Sequence, residues 1–142
     1  MQAGQSGAGL GHVALPLLFT NDGTATCTLS GYPGVAALDS SGAQVAQAQR
    51  TPQGYLGGLE GYSGGPLPVV SLAPGQTASA MVEGTDNPAG TATSCVTYAA
   101  LLVTAPDTTT SVRVDSALPG CSALEVHPVV EGTSGRAVTA GG

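Results

Sequence analysis

Apolar and polar positions alternate with a period of two along much of this chain, which predicts short β-strands with one buried face. The clearest case is His12 to Thr20. There Val13, Leu15, Leu17 and Phe19 alternate with His12, Ala14, Pro16 and Thr20. Pro16 has no N–H to give a ladder, so it belongs at an edge or a bulge. Further strands are predicted over Cys27–Ser30, broken by Gly31–Gly34 and continued by Val35–Leu38, and over Ala43–Ala48, Leu67–Leu72, Thr77–Glu83, Val96–Thr104, Ser111–Leu118 and Leu124–Val130. Ala78, Ala80 and Val82 share one face of the Thr77–Glu83 segment, and the unbroken Leu101-Leu102-Val103 run suggests a central strand.

Turn residues separate these segments. Asn21-Asp22-Gly23, Asp39-Ser40-Ser41-Gly42, Pro106-Asp107 and Pro119-Gly120 are turn signals, and Ala73-Pro74-Gly75-Gln76 suits a type II turn. Seven to eight short strands with frequent turns and no helical period imply an all-β sandwich or barrel. The expected division is a flexible segment 1–11, one domain over 12–130 and a flexible tail 131–142.

One segment breaks the pattern. Arg50 to Pro66 holds six glycines in 17 residues and shows neither strand nor helix period. Loops of this length are usually functional or mobile. Two readings are open for it. Tyr55, Leu56 and Leu59 can fold back as a lid over one end of the domain. Alternatively Arg50, Tyr55, Leu56, Leu59 and Tyr62 form a partner-binding loop, because tyrosine in a Gly/Ser context gives rigid amphipathic contacts on an adaptable backbone. Tyr32, in the Gly31–Gly34 turn, is expected to pack its ring on the core edge.

Composition narrows the function classes. Charged residues are only 8%, so helical surfaces have few residues to draw on. The only cations besides histidine are Arg50, Arg113 and Arg136, with a net charge of −6, too few to neutralise a run of phosphates. No nucleic acid is expected as a partner, and anionic membrane surfaces are disfavoured. The longest apolar stretch, Val13 to Phe19, is far shorter than a membrane-spanning helix, so no membrane insertion is expected.

Chemistry-bearing patterns are sparse. His12 and His127 are the only histidines and read as strand-face residues; no GxSxG elbow accompanies them. The nine acids, Glu60, Asp86 and Asp107 among them, are scattered among turns and strands rather than paired. His12, His127 and Met81 show no metal-ligand spacing, and Asn21-Asp22-Gly23 lacks the further oxygen ligands of a calcium loop. The glycines of Gly9-Leu10-Gly11 have no lysine to reach a phosphate. The expectation is a non-enzymatic domain with no catalytic residue, cofactor or metal.

Cys27, Cys95 and Cys121 form no CxxC and read as disulfide partners, with one left over. Widely spaced cysteines favour an exported mature fragment over a cytosolic protein.

Taken together, Gly11-His12-Val13-Ala14-Leu15-Pro16-Leu17, Phe19-Thr20-Asn21, Cys27 to Val35, Leu72 to Ala78 and Cys95 resemble an uncharacterised domain of actinobacterial secreted proteins and lipoproteins. The resemblance spans roughly residues 9–130. It implies an immunoglobulin-like antiparallel sandwich, export, a lipid anchor possible upstream, and no assigned activity. It also implies a further cysteine in a strand ahead of Gly11-His12. Three pairings of the cysteines are possible; Cys27–Cys95 is preferred, leaving Cys121 for that upstream cysteine. The functional expectation is a secreted or cell-surface module that binds another secreted or envelope protein; the alternatives are a structural lipoprotein ectodomain or spacer and, last, an enzyme with an unrecognised site.

Overall fold

The computed structural model describes residues 2–4, 7–9, 12–54, 56–62, 64–85, 96–106, 111–120 and 124–138. Among them are seventeen strand segments and no helix. They are β1 (Gln2–Ala3), β2 (Gly7–Gly9), β3 (His12–Thr20), β4 (Cys27–Ser30), β5 (Gly34–Leu38), β6 (Gln44–Gln47), β7 (Gln49–Arg50), β8 (Gly58–Glu60) and β9 (Val69–Leu72). They continue as β10 (Thr77–Thr85), β11 (Thr97–Tyr98), β12 (Ala100–Thr104), β13 (Ser111–Val114), β14 (Leu118–Pro119), β15 (Glu125–Val126), β16 (Val130–Glu131) and β17 (Arg136–Val138). Eight of these run for four residues or more.

The largest sheet has the order β1-β3-β10-β15-β7, with β2 also on β3 and β16 also on β10. Its spine is the nine-residue antiparallel pairing of β3 with β10, from Thr20↔Thr77 to His12↔Thr85. A four-stranded sheet has the order β13-β12-β5-β6, and β4–β9, β11–β14 and β8–β17 form two-stranded sheets. Two pairings, β7 with β15 and β8 with β17, are parallel, which the expected antiparallel sheet did not include.

The turn chemistry explains several connections. Asp39 Oδ1 accepts from the Ser41 and Ala43 N–H groups and turns β5 into β6. Gly75 has φ +86° and the Gln76 N–H donates to the Ala73 carbonyl, a type II geometry. That turn does not make a paired hairpin. It carries the chain from β9, which pairs with β4, into β10 in the large sheet. The chain also changes sheets at Ala48: its N–H donates to Val35 in the four-stranded sheet, and the next N–H, of Gln49, donates to Leu124 beside β15.

Pro16 illustrates how the pattern is accommodated. Its carbonyl accepts from the Gly4 N–H, so its nitrogen faces the same side, between β1 and β2. The missing donor therefore falls where the edge pairing is interrupted. The residues on either side of that interruption pair with β3, so this edge of the large sheet carries partner strands.

One hydrophobic cluster joins the sheets. Leu15, Leu17 and Phe19 from β3 and Ala78, Ala80 and Val82 from β10 meet Val35, Ala37, Leu101, Val103 and Val114 from the four-stranded sheet. Apolar burial of this kind is worth about 25 cal/mol per Å² and is the main cohesive term.

Candidate functional site

Successive side chains of a strand point to opposite faces. Ala78, Ala80 and Val82 point into the core, so Ser79, Met81 and Glu83 point away from it. Those three are buried as well, at 0%, 7% and 3% exposure. Their cover is backbone, supplied by the glycine-rich segment after β7 and by the turn before β17. A Cβ on Gly54 would overlap Glu83 Oε2 and His127 Nε2. One on Gly57 would lie 2.6 Å from Met81 Cγ, and one on Gly135 3.0 Å from Met81 Cβ. Gly135 also donates its N–H to Ser79 Oγ at 2.7 Å. Glycine is required here because bare backbone must lie directly on the side chains beneath it.

At the centre of this layer is an ion pair that joins distant parts of the chain. Glu83 Oε2 lies 2.5 Å from His127 Nε2, and both side chains are buried. Glu83 Oε1 accepts from the Leu56 N–H at 2.8 Å, and the Gly57 N–H also donates to this carboxylate. His127 Nδ1 lies 2.9 Å from the Thr51 carbonyl and 3.1 Å from Thr51 Oγ1, whose hydroxyl donates to Glu125 Oε1. The His127 backbone N–H donates to the Met81 carbonyl. His12 Nδ1, at the start of β3, is 4.0 Å from Glu83 Oε1. The structure therefore brings both histidines to one carboxylate.

Burial alone would raise the Glu83 carboxyl. The hydrogen bond from His127, the Leu56 N–H, the imidazolium charge and the Gly57 N–H outweigh it and hold the group below its ordinary value. Burial alone would likewise lower His127, but Glu83, the Thr51 carbonyl and the Glu125 charge raise it. Both directions favour the imidazolium–carboxylate form of the pair.

These contacts decide what the site can do chemically. Thr51, His127 and Glu83 stand in the order of a nucleophile, base and orienting acid. A base must offer a lone pair to the nucleophile's proton. Here the Thr51 carbonyl can only accept, so Nδ1 carries hydrogen, and the Thr51 hydroxyl hydrogen is committed to Glu125. The arrangement acts as a clamp. It ties β10, the segment after β15, the segment after β7 and the glycine-rich segment to one buried charge pair. Above the clamp is a shallow cleft of ≈ 100 Å³ lined by Gln53, Gly54, Gly57, Glu60 and Arg136, with Arg136 Nη2 2.9 Å from Glu60 Oε2 on its rim. Among the described residues, no three His, Cys, Asp or Glu side chains converge as metal ligands would.

The residues singled out from the sequence are distributed unevenly around this clamp. Leu59 is fully buried in β8, which pairs with β17, so it packs inside and offers no surface to a partner. Leu56 is half-buried and reaches Glu83 through its backbone. Arg50 is exposed, and half-buried Tyr62 donates its hydroxyl to the Gly65 carbonyl. Tyr55 lies outside the described residues. Tyr32 packs against the core cluster. Cys27 is an exposed free cysteine; Cys95 and Cys121, needed for the expected pairing, lie outside the described residues.

Sequence reasoning passed over Glu83, Thr51 and Glu125. The available signal was an acid on the alternate face of a strand whose other residues are small and apolar, together with a loop that combines many glycines with large side chains.

An all-β domain of several sheets, with a charge pair buried beneath glycine backbone, is the class that fold and site define. The chain belongs to the family described as a domain of unknown function, DUF4232, whose model matches residues 1–130. No curated protein and no solved structure gave a match.

Proposed function

We propose that this domain is a secreted, non-enzymatic binding or assembly module of the actinobacterial envelope or exoproteome, built as an immunoglobulin-like sandwich of seven to eight principal strands. The change of sheet at Ala48 and the shared core of the two larger sheets support the sandwich. The functional reading rests on one observation: the glycine-rich segment is seated directly on Glu83 and His127, with its N–H groups donated to the carboxylate. A loop anchored from beneath presents its outer residues in a fixed arrangement. Preorganisation of this kind reduces the ordering cost of binding. Among the described residues those outer groups are Arg50 and Gln53, with half-buried Tyr62 further along the loop.

Capture of proteins from the medium and envelope of the source organism tests this reading. The wild-type domain should retain a defined partner. Changing both Tyr55 and Tyr62 to Ala should weaken that capture while leaving the melting temperature nearly unchanged. A large loss of melting temperature with no change in capture would overturn the proposal, and absence of any partner would favour a structural ectodomain or spacer.

A further inference from the structure

A second depression lies at the end of the molecule where four chain segments meet. Ser30 ends β4 and Gly31 and Tyr32 follow it, Gly34 opens β5, Arg50 closes β7, and Thr104 ends β12 with Ala105 and Pro106 after it; together they line a groove of ≈ 590 Å³. That is within the range of ligand sites. Its walls are held from behind. The Gly31 carbonyl accepts from the Val129 N–H, and the strand carrying Arg50 is fastened by Gln49 to Leu124 and by Thr51 to Val126. Gly31 has φ +89° and would meet nothing with a Cβ, so its side of the groove is open.

The chemistry of the lining is one-sided. Two of the three arginines already have carboxylates: Arg113 Nε is 2.6 Å from Asp115 and Arg136 is 2.9 Å from Glu60. Among the described residues Arg50 has no carboxylate partner and no acid lines the groove. In a chain of net charge −6 that is an uncommon local environment. The Tyr32 side chain adds a second potential donor, its hydroxyl, to the residues lining the groove. Arg50 and Tyr62 both act electrostatically on the Tyr32 phenol, so groove and glycine loop are adjacent. A planar fork of N–H donors next to an aromatic ring and the apolar Ala105–Pro106 wall matches a carboxylate carried on an apolar stem.

We infer that the groove between Tyr32, Arg50 and Pro106 is the recognition site for an acidic peptide segment of the partner, with a partner carboxylate on the Arg50 guanidinium. This rests on the binding-module reading and names the chemistry of its contact. The Arg50 side chain is exposed, so its replacement tests recognition without removing core packing.

The test is a two-dimensional amide NMR titration of the full chain with a capped tetrapeptide containing two glutamates. Saturable shifts are expected at Gly31, Tyr32 and Gly34. Binding should fall about tenfold for the glutamine counterpart of the peptide and for Arg50→Gln, the loss of one charge-assisted contact. Arg50→Lys should fall between, because it keeps the charge and loses the fork. Unsaturated shifts, or equal binding by Arg50→Gln, would overturn the site. Saturation by trigalacturonate but not by the peptide would overturn the peptide assignment. Failure here with Tyr-dependent partner capture intact would remove this groove and leave the module reading standing; a working titration with no partner captured would do the reverse.

Discussion

The two faces of β10 are built on different principles. On one face Ala78, Ala80 and Val82 join the common core. On the other Ser79, Met81 and Glu83 are buried just as deeply, but under backbone rather than under apolar side chains. The first face needs only apolar residues of suitable volume, and such cores tolerate exchange. The second needs each polar atom partnered, and no buried side-chain polar atom lacks a partner among the described residues. Burial alone therefore does not say what holds a strand in place. One face is held by area, the other by a particular set of hydrogen bonds that glycine makes possible.

This contrast can be broken most strongly at the charge pair. Glu83→Ala leaves His127 buried and uncompensated and should cost about 3–5 kcal/mol in urea unfolding. Leu17→Ala in the core should cost a similar amount, about 2–5 kcal/mol, through a cavity. The two should differ in rescue. Replacing both members, Glu83→Met with His127→Leu, should recover much of the first loss, because an apolar pair leaves no orphaned charge. A double variant no better than Glu83→Ala would mean the pair itself is indispensable to the fold.

A smaller effect separates two kinds of glycine. Gly54→Ala forces a methyl into Glu83 and His127, and should cost about 3 kcal/mol, the upper part of the range for overpacking. Gly75→Ala meets open space and carries only the strain of φ +86°, about 1–2 kcal/mol. Equal melting temperatures for the two variants would show that the loop yields readily and does not press on the pair.

The smallest effect is a pH dependence confined to the polar face. Glu83 is lowered by folding, so its contribution is present above the unfolded value of 4.5 and is lost as pH falls through the lower folded value. His127 is raised, so its contribution is present below the unfolded value of 6.5 and is lost as pH rises through the higher folded value. The pair's contribution is therefore greatest between pH 4.5 and 6.5 and declines on both sides. Among the described residues, His12 and Glu125 are other titratable groups facing it. Denaturant midpoints of wild type and of the Met/Leu double variant should diverge most in that window; a constant difference across pH would contradict the ion-pair state.

Much of the apolar face was legible in the sequence. The bounds of β3 at His12–Thr20 and of β4 at Cys27–Ser30 follow from alternation bounded by turn residues, and the structure has them there. The turns at Asp39–Gly42 and Ala73–Gln76 were legible from their Asp, Pro and Gly placement. The polar face was not. A Ser, a Met and a Glu on alternate positions read as a solvent face unless something covers them, and the cover comes from residues far along the chain. Glu83 and His127 are 44 positions apart, and their meeting depends on the β10–β15 register, which no local pattern states. The Arg50–Pro66 segment was recognisable as unusual from its glycines, but not as a layer on β10. Its short strand β8 pairs in parallel with β17, inside a stretch that composition marks as a loose tail.

Hydrogen exchange at the Leu56 amide tests the central claim most directly. That N–H is donated to buried Glu83 in the middle of a glycine-rich loop. If the charge pair pins the loop, Leu56 should exchange far more slowly than exposed Gly64 and Gly65 in the same segment, and that protection should disappear in Glu83→Ala, which removes the acceptor, while Leu101 to Val103 stay protected. A Leu56 amide that exchanges as fast as Gly64 in the wild-type protein would contradict the account.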